Sequence, residues 1–421
     1  MNHNLSNKKI TVAPDILDKL PDDIVSRILK CLPLHDAAKL CLLSRSWLYA
    51  WKGLPELRFD AEFFAEVLKG KTPTAEKLCN ILSVILLSHV GPINGFYLCV
   101  PRLKSSIAPN IGPCISSLSR NSVKAITIKN VKEPLMLSYH LFSCLNLEKL
   151  TLDNCVFNVL PFSNVLKKLK SMELEQVIIM GNSFSKFIAS CPVLESLTLK
   201  QCRGFEHIYI AAPNLKYLTA SGLFESVYLR FAKNLIGFSV TLEKMIPNNQ
   251  SGKTCELIAY LAHQCRLEYL SFGGHFCKLL TAGEIGKMFP IYYHSLKSLE
   301  LCNIKTNDRD ELFWVIGMVK CCPVLEDLKI SFLSKYCAEH KIEFDSGHRF
   351  YRLRKVHLTS VMGVVLELRL IEFLLRCSPA LETMCVKRDA KITQALESRL
   401  TRSLMYYCRA SPEATVVYVE V

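Results

Sequence analysis

No apolar run in this 421-residue chain is long enough to cross a bilayer. The longest, Ile81 to Val90, is interrupted by Ser83, Ser88 and His89 and closed by Gly91-Pro92. Met1-Asn2-His3-Asn4-Leu5 lacks the apolar core of a secretory signal. No Cys-x-x-Cys pair occurs among the 19 cysteines, which removes the usual spacing of zinc ligands and redox dithiols. Scattered thiols in such a chain are expected to be reduced, mostly buried and packed as small hydrophobes. The expectation is a soluble, intracellular protein of the cytoplasm and/or the nucleus, with no membrane partner. The glycosylation sequons Asn4-Leu5-Ser6 and Asn249-Gln250-Ser251 carry little weight in that setting.

Catalytic signatures are missing as well. There is no Gly-x-Ser-x-Gly, no His-Glu-x-x-His and no paired-carboxylate pattern. Asn249-Gln250-Ser251-Gly252-Lys253-Thr254 ends like a phosphate-binding loop. Pro247 stands where its first glycine is needed, and the loop lacks the glycines that let backbone amides cradle phosphate. His263-Gln264-Cys265 and His275-Phe276-Cys277 resemble metal-ligand fragments without a companion pair. The sequence therefore implies no enzyme, no metal and no cofactor.

Charge is what the chain has in excess, a formal +14. From Pro14 to Asp60, however, seven acidic residues balance seven basic ones. The excess lies outside that module, and its densest cluster is only Lys167-Lys168-Leu169-Lys170. No long Lys/Arg run favours a nucleic-acid partner.

Residues 1–13 are polar and expected to be disordered. Pro21 then opens a helix with Asp22 and Asp23 in its first turn, where carboxylates suit the macrodipole. Ile24, Ile28, Leu29 and Leu32 follow helical spacing, and Pro33 ends the helix. His35-Asp36 is expected to cap a second short helix through Ala37, Leu40 and Cys41. Ser44 is expected to cap a third that carries Trp47 and Trp51 on one face. Three helices in about thirty residues bury too little core to stand alone, so the module seeks a partner. A helix-turn-helix reader of DNA is disfavoured. Its recognition helix would offer several Arg, Asn or Gln to base edges, whereas this one begins Ser-Arg-Ser-Trp-Leu-Tyr-Ala-Trp.

The stretch Leu20 to Asp60 resembles an F-box. Its Leu-Pro start, its Leu-Pro-Leu middle and its Leu-Ser-(x)-x-Trp end all fall at the family's spacings. The resemblance implies docking on a Skp-type adaptor, and through it on a cullin and a RING protein. It assigns fold and adaptor contact to Leu20, Pro21, Ile24, Ile28, Leu32, Pro33, Leu43 and Trp47. Members often carry a basic residue just before the tryptophan, where this chain has Ser46.

Phe63 to Lys69 and Glu76 to Ser88 show helical spacing and form a linker and cap over 61–95. From about Phe96 a phrase Leu-x-x-Leu-x-Leu recurs, with first positions 147, 169, 194, 215, 235, 267, 296, 325, 353 and 381. The intervals run from 20 to 32 residues, most of them within the leucine-rich-repeat range. Val123 to Ile128 is an earlier member, and Cys155 and Cys202 occupy the repeat's Asn/Cys position. Each phrase predicts a short strand whose fourth and sixth residues point into a core. The long intervals have room for helices, at Leu257 to Gln264 and Asp310 to Val319.

The fold class that follows is α/β: a three-helix F-box (14–60), then an irregular leucine-rich-repeat solenoid over 96–350. In it a curved parallel sheet carries helices and turns on its convex side. Strand alternation puts Lys149, Thr151, Glu173, Glu175, Thr198, Lys200, Tyr217, Tyr269, Glu300, Lys329 and His357 on the concave face as candidates for binding a target protein. With Asp153, Asp327, Lys355 and Lys387 on the same face, five acidic residues and five lysines balance there, which speaks against a face that grips nucleic acid. Residues 351–421 repeat the helix-Pro-strand order and end in an apolar run suited to an edge strand. That segment resembles the FBD module of plant F-box proteins, and Phe96 to Lys129 looks like the same family. Together these readings imply a non-catalytic substrate receptor of a Skp–cullin–F-box ubiquitin ligase. Two alternatives are an adaptor-bound scaffold without an active ligase and a small-ligand receptor on the concave face.

Overall fold

Alternating burial along short parallel strands organises the chain. A computed structural model describes residues 20–104, 108–159, 166–181, 183–243, 251–277, 292–306, 309–333 and 347–420. The expected disordered segment 1–13, with the first sequon inside it, lies outside these residues, as do Asn249 and Gln250 of the second. Two compact units divide the chain, 1–156 and 157–421.

The first unit opens with three helices: α1 Asp22–Cys31, α2 Leu34–Leu40 and α3 Arg45–Lys52. Pro21 precedes α1 and Pro33 precedes α2, each with φ near the value the ring fixes. The caps differ from expectation. Pro33, not His35-Asp36, stands before α2, and no side chain caps that helix. Ser44 has the extended backbone of a cap, yet its Oγ is buried and unpaired among the described residues. Working side-chain caps occur further on. Asp60 accepts from Phe63 N at 3.0 Å and Thr74 from Lys77 N at 3.2 Å.

Those caps start the helices Ala61–Val67 and Ala75–Ser88, close to the positions expected from sequence. The sheet, in contrast, begins earlier than the recurrent phrase suggests. Its first strand is Glu56–Phe59, which pairs in parallel with Gly95–Val100. Ala125–Asn130 and Lys149–Asp153 follow in order. The cause is visible in Leu54-Pro55-Glu56-Leu57-Arg58-Phe59, which has the same alternation as the later repeats. Leu57 and Phe59 are buried while Arg58 points out, over the Tyr97 ring. The end of α3 is tied to this layer by Val90 N donating to Lys52 O at 2.8 Å. His89 Nε2 lies 2.8 Å from Leu54 O.

The second unit stacks ten parallel strands side by side. In order they are Ser171–Glu175, Ser196–Lys200, Tyr217–Gly222, Gly237–Leu242 and Tyr269–Gly274, then Ser298–Ile304, Asp327–Phe332, Lys355–Val361, Thr383–Arg388 and Thr415–Val419. The register keeps equivalent repeat positions side by side. Met172, Leu197 and Leu218 align, and so do Leu270, Leu299, Leu328 and Val356. Each of these side chains is at most 1 % exposed. Burying one contributes roughly 1.5–3 kcal/mol, so every added rung extends one continuous core. Early intervals return through the short helix Phe184–Ala189 and a two-stranded sheet of His207–Ala211 and Ser226–Arg230. Later ones return through full helices: Ser251–Ala262, Arg309–Lys320, Val365–Cys377 and Gln394–Tyr406.

Two local devices recur. A residue next to the end of a strand often takes a left-handed backbone: Asn154, Gln176, Gln201, Asn303 and Ser360 have φ between 51° and 61°. Gly274 holds the same place at φ 65°, where a Cβ would lie 1.9 Å from Leu242 O. The second device is a buried glutamate at the start of a helix. Glu367, 0 % exposed, accepts from the backbone N–H groups of Met362 and Gly363 at 2.8 Å and Val364 at 3.3 Å. Glu311 accepts from Lys305 N at 2.8 Å in the same way. Each carboxylate satisfies amides that the turn into the helix leaves unpaired.

Candidate functional site

Helix α1 is apolar over a wider arc than its own unit needs. Val25 and Leu29 are 1 % exposed and form its inner face. Pro21, Ile24, Ile28 and Leu32 make a second stripe at helical spacing, with Pro21 and Pro33 exposed and the aliphatic residues half-buried, as is Leu20. The turn after α2 adds Leu43, 42 % exposed, and Leu42, 90 % exposed. Such side chains in open solvent mark an interaction surface.

Trp47 differs from the rest of this group. It is 2 % exposed, and α3 packs it inside the module. Its contribution is to hold α3 in place; the reachable apolar groups are its neighbours. Leu42 and Tyr49, the latter 68 % exposed, were not among the sequence candidates. The doublet Leu42-Leu43 was the available signal, because a tight turn does not bury two adjacent leucines together. The Lys39 ammonium hydrogen-bonds Asp36 at 2.8 Å and holds that carboxyl below its usual range. Ser46 Oγ reaches Asp22 Oδ1 at 3.4 Å.

The second candidate surface is the open sheet face of each unit, taken separately. Strand alternation places all its predicted residues outward, opposite the buried rows. Lys149 and Thr151 belong to the first unit and the others to the second. The geometry joins some of them. Tyr269 Oη donates to Glu300 Oε2 at 2.6 Å. Desolvation, and then the Glu300 carboxylate, push the Tyr269 phenol up to about 12. Asp327 faces Lys329 at 3.6 Å and His357 at 3.9 Å. These pairs are partly exposed and contribute well under about 1 kcal/mol each. Glu173 and Glu175 have no ion pair among the described residues. Ser271 lies in an outward row but is only 4 % exposed.

The fragments that hint at catalysis resolve into ordinary structure. Ser251 to Thr254 begin the helix Ser251–Ala262, while 249–250 lie outside the described residues. His263 Nδ1 sits 2.6 Å from Ala259 O, and Cys277 is buried with its thiol pushed up. No group of three metal-ligating side chains occurs among the described residues. A cavity of about 590 Å³ is lined by Phe184, Phe205, Glu206, His207 and Tyr209, beside the two-stranded sheet and away from the open face.

Comparison with known proteins adds two matched families. An F-box domain model matches residues 17–59, and the leucine-rich-repeat model described as FBD-associated F-box protein At5g56370 matches residues 113–330. The Arabidopsis thaliana protein F-box/FBD/LRR-repeat protein At1g13570 is 30 % identical, over 97 % of this chain and 99 % of its own length. FBD-associated F-box protein At5g56370, from the same plant, is 24 % identical over 96 % of this chain and 100 % of its own length.

Proposed function

We propose that this chain, which belongs to the plant F-box/FBD/LRR-repeat family, is the substrate-recognition subunit of a Skp–cullin–F-box ubiquitin ligase. Family membership makes it a protein of the F-box substrate-adaptor type, and an F-box in general binds a Skp-type adaptor. The observation that carries the finer reading is the unused apolar stripe of α1 together with Leu42 and Leu43. A Skp-type adaptor covers that stripe, and through it a cullin and a RING protein join. The open sheet face holds the target protein. Ubiquitin transfer is the work of the other subunits, and this chain contributes proximity. The seventeen cysteines whose side chains are described are free, which supports work in a reducing compartment, the cytoplasm or nucleus.

Co-purification with a Skp-type adaptor tests the docking step. The parent chain retains the adaptor. Leu20→Ala/Pro21→Ala and Leu42→Asp/Leu43→Asp lose it while keeping the parent circular dichroism spectrum. Equal retention by these variants contradicts the reading. Cullin in the purified complex, and faster decay of a bound target, separate an active ligase from a scaffold.

A further inference from the structure

The open face of the second unit is balanced in charge but not mixed. Its central acidic groups are already engaged: Glu300 by Tyr269, and Asp327 by Lys329 and His357. The groups without an ion pair among the described residues lie toward the two ends. Glu173 and Glu175 stand on the first strand, where Lys200, in register with Glu175, offsets one charge. Lys355 and Lys387 stand on the eighth and ninth strands, both exposed. One end is therefore net negative and the other net positive.

Between them, three adjacent strands present no charged side chain outward. Tyr217 and Tyr269 flank Gly237 in register. A Cβ on Gly237 would lie 2.9 Å from Tyr217 Cδ1 and 3.6 Å from Tyr269 Cδ1, so both rings lie down over the glycine. The result is a low, neutral, aromatic floor bordered by hydroxyl groups.

We propose that this face holds an extended segment of a target with segregated charge: basic residues over Glu173 and Glu175, acidic residues over Lys355 and Lys387. Seven strand steps separate these ends, about 34 Å at ~4.8 Å per step. An extended chain covers that with about ten residues, and those that cross the three-strand floor are neutral. The proposal rests on the reading that the open face binds the target.

The test uses the full chain and two labelled peptides of equal composition. One has two lysines, about ten Gly, Ser, Thr and Ala residues, then two aspartates. The other alternates the same charges along its length. Fluorescence anisotropy at low salt is expected to show the segregated peptide binding at least about tenfold tighter, with the difference lost near 0.5 M salt, roughly where screening falls below contact range. Glu173→Lys/Glu175→Lys and Lys355→Glu/Lys387→Glu each abolish the preference. Combining all four substitutions restores it, because the peptide then lies in the opposite direction. Equal binding of both peptides, or no recovery in the fourfold variant, overturns the proposal. Adaptor capture on the same preparations keeps the two readings apart. Capture without peptide preference sinks only the segregated-charge segment, and preference without capture sinks only the docking step.

Discussion

Ser46 and Asp22 meet across the helical module, Oγ to Oδ1 at 3.4 Å, and so join the start of α3 to the first turn of α1. Both are solvent-accessible, and the contact is long for two oxygens. A lysine or arginine at 46, as related modules often carry, would reach the Asp22 carboxylate directly. Ser46→Lys is expected to stabilise the module by a few tenths of a kcal/mol, up to about 1. Thermal unfolding reads that change, and adaptor affinity should move by less than about threefold. A loss of affinity beyond that range would mean that position 46 faces the adaptor itself.

Removing the Glu367 carboxylate strands three backbone amides in a fully buried turn. Glu367→Ala should destabilise the second unit by about 3 kcal/mol or more. Glu367→Gln keeps an acceptor and should cost less than half of that. Urea unfolding distinguishes the two, and similar midpoints for both variants would contradict the assigned role.

Gly274→Ala places a methyl group against Leu242 O in a left-handed backbone. Gln176 has φ 53°, so Gln176→Gly only relieves strain there. The first substitution should unfold the chain at markedly lower urea, and the second should shift stability by at most about 1 kcal/mol. Equal and small effects would show that the strand ends are freer than described.

Burial pushes the thiols of Cys144, Cys155 and Cys191 up to about 12. At neutral pH they remain protonated and hidden, whereas Cys31, Cys265 and Cys408 are exposed. Brief iodoacetamide treatment followed by peptide mass spectrometry should label the exposed three and spare the buried three. The same shift gives a pH dependence. Below the ordinary thiol value of 9.0 both folded and unfolded chains hold these protons, and stability is full. From there to about 12 the unfolded chain releases protons that the native chain keeps, so stability falls as pH rises. A flat unfolding midpoint across that window would contradict the burial.

Much of this architecture is legible in the sequence because it depends on period. The apolar alternation of Leu194 to Leu199 or Leu325 to Ile330 specifies an outward and an inward row without reference to anything distant. The strand Glu56–Phe59 was hidden by its position, since the same letters also end the helical module. Trp47 shows the limit of motif reading. Spacing marks it as important, but only packing tells whether it touches a partner or holds a helix. The charges on the open face add up correctly from sequence, five against five. Which of them neutralise one another depends on register and side-chain reach, as with Asp327 and Lys329.

A register that shifts only near the strand ends after Leu301 and Leu358 gives the open face of the second unit something close to a coordinate system. Every rung advances about 4.8 Å, and successive outward residues on one strand lie about 6.6 Å apart. A position there can be addressed by strand and row, as on a printed array. Substitutions laid out on that lattice would return a footprint with a length and a direction, so an unidentified target could be sized before it is known.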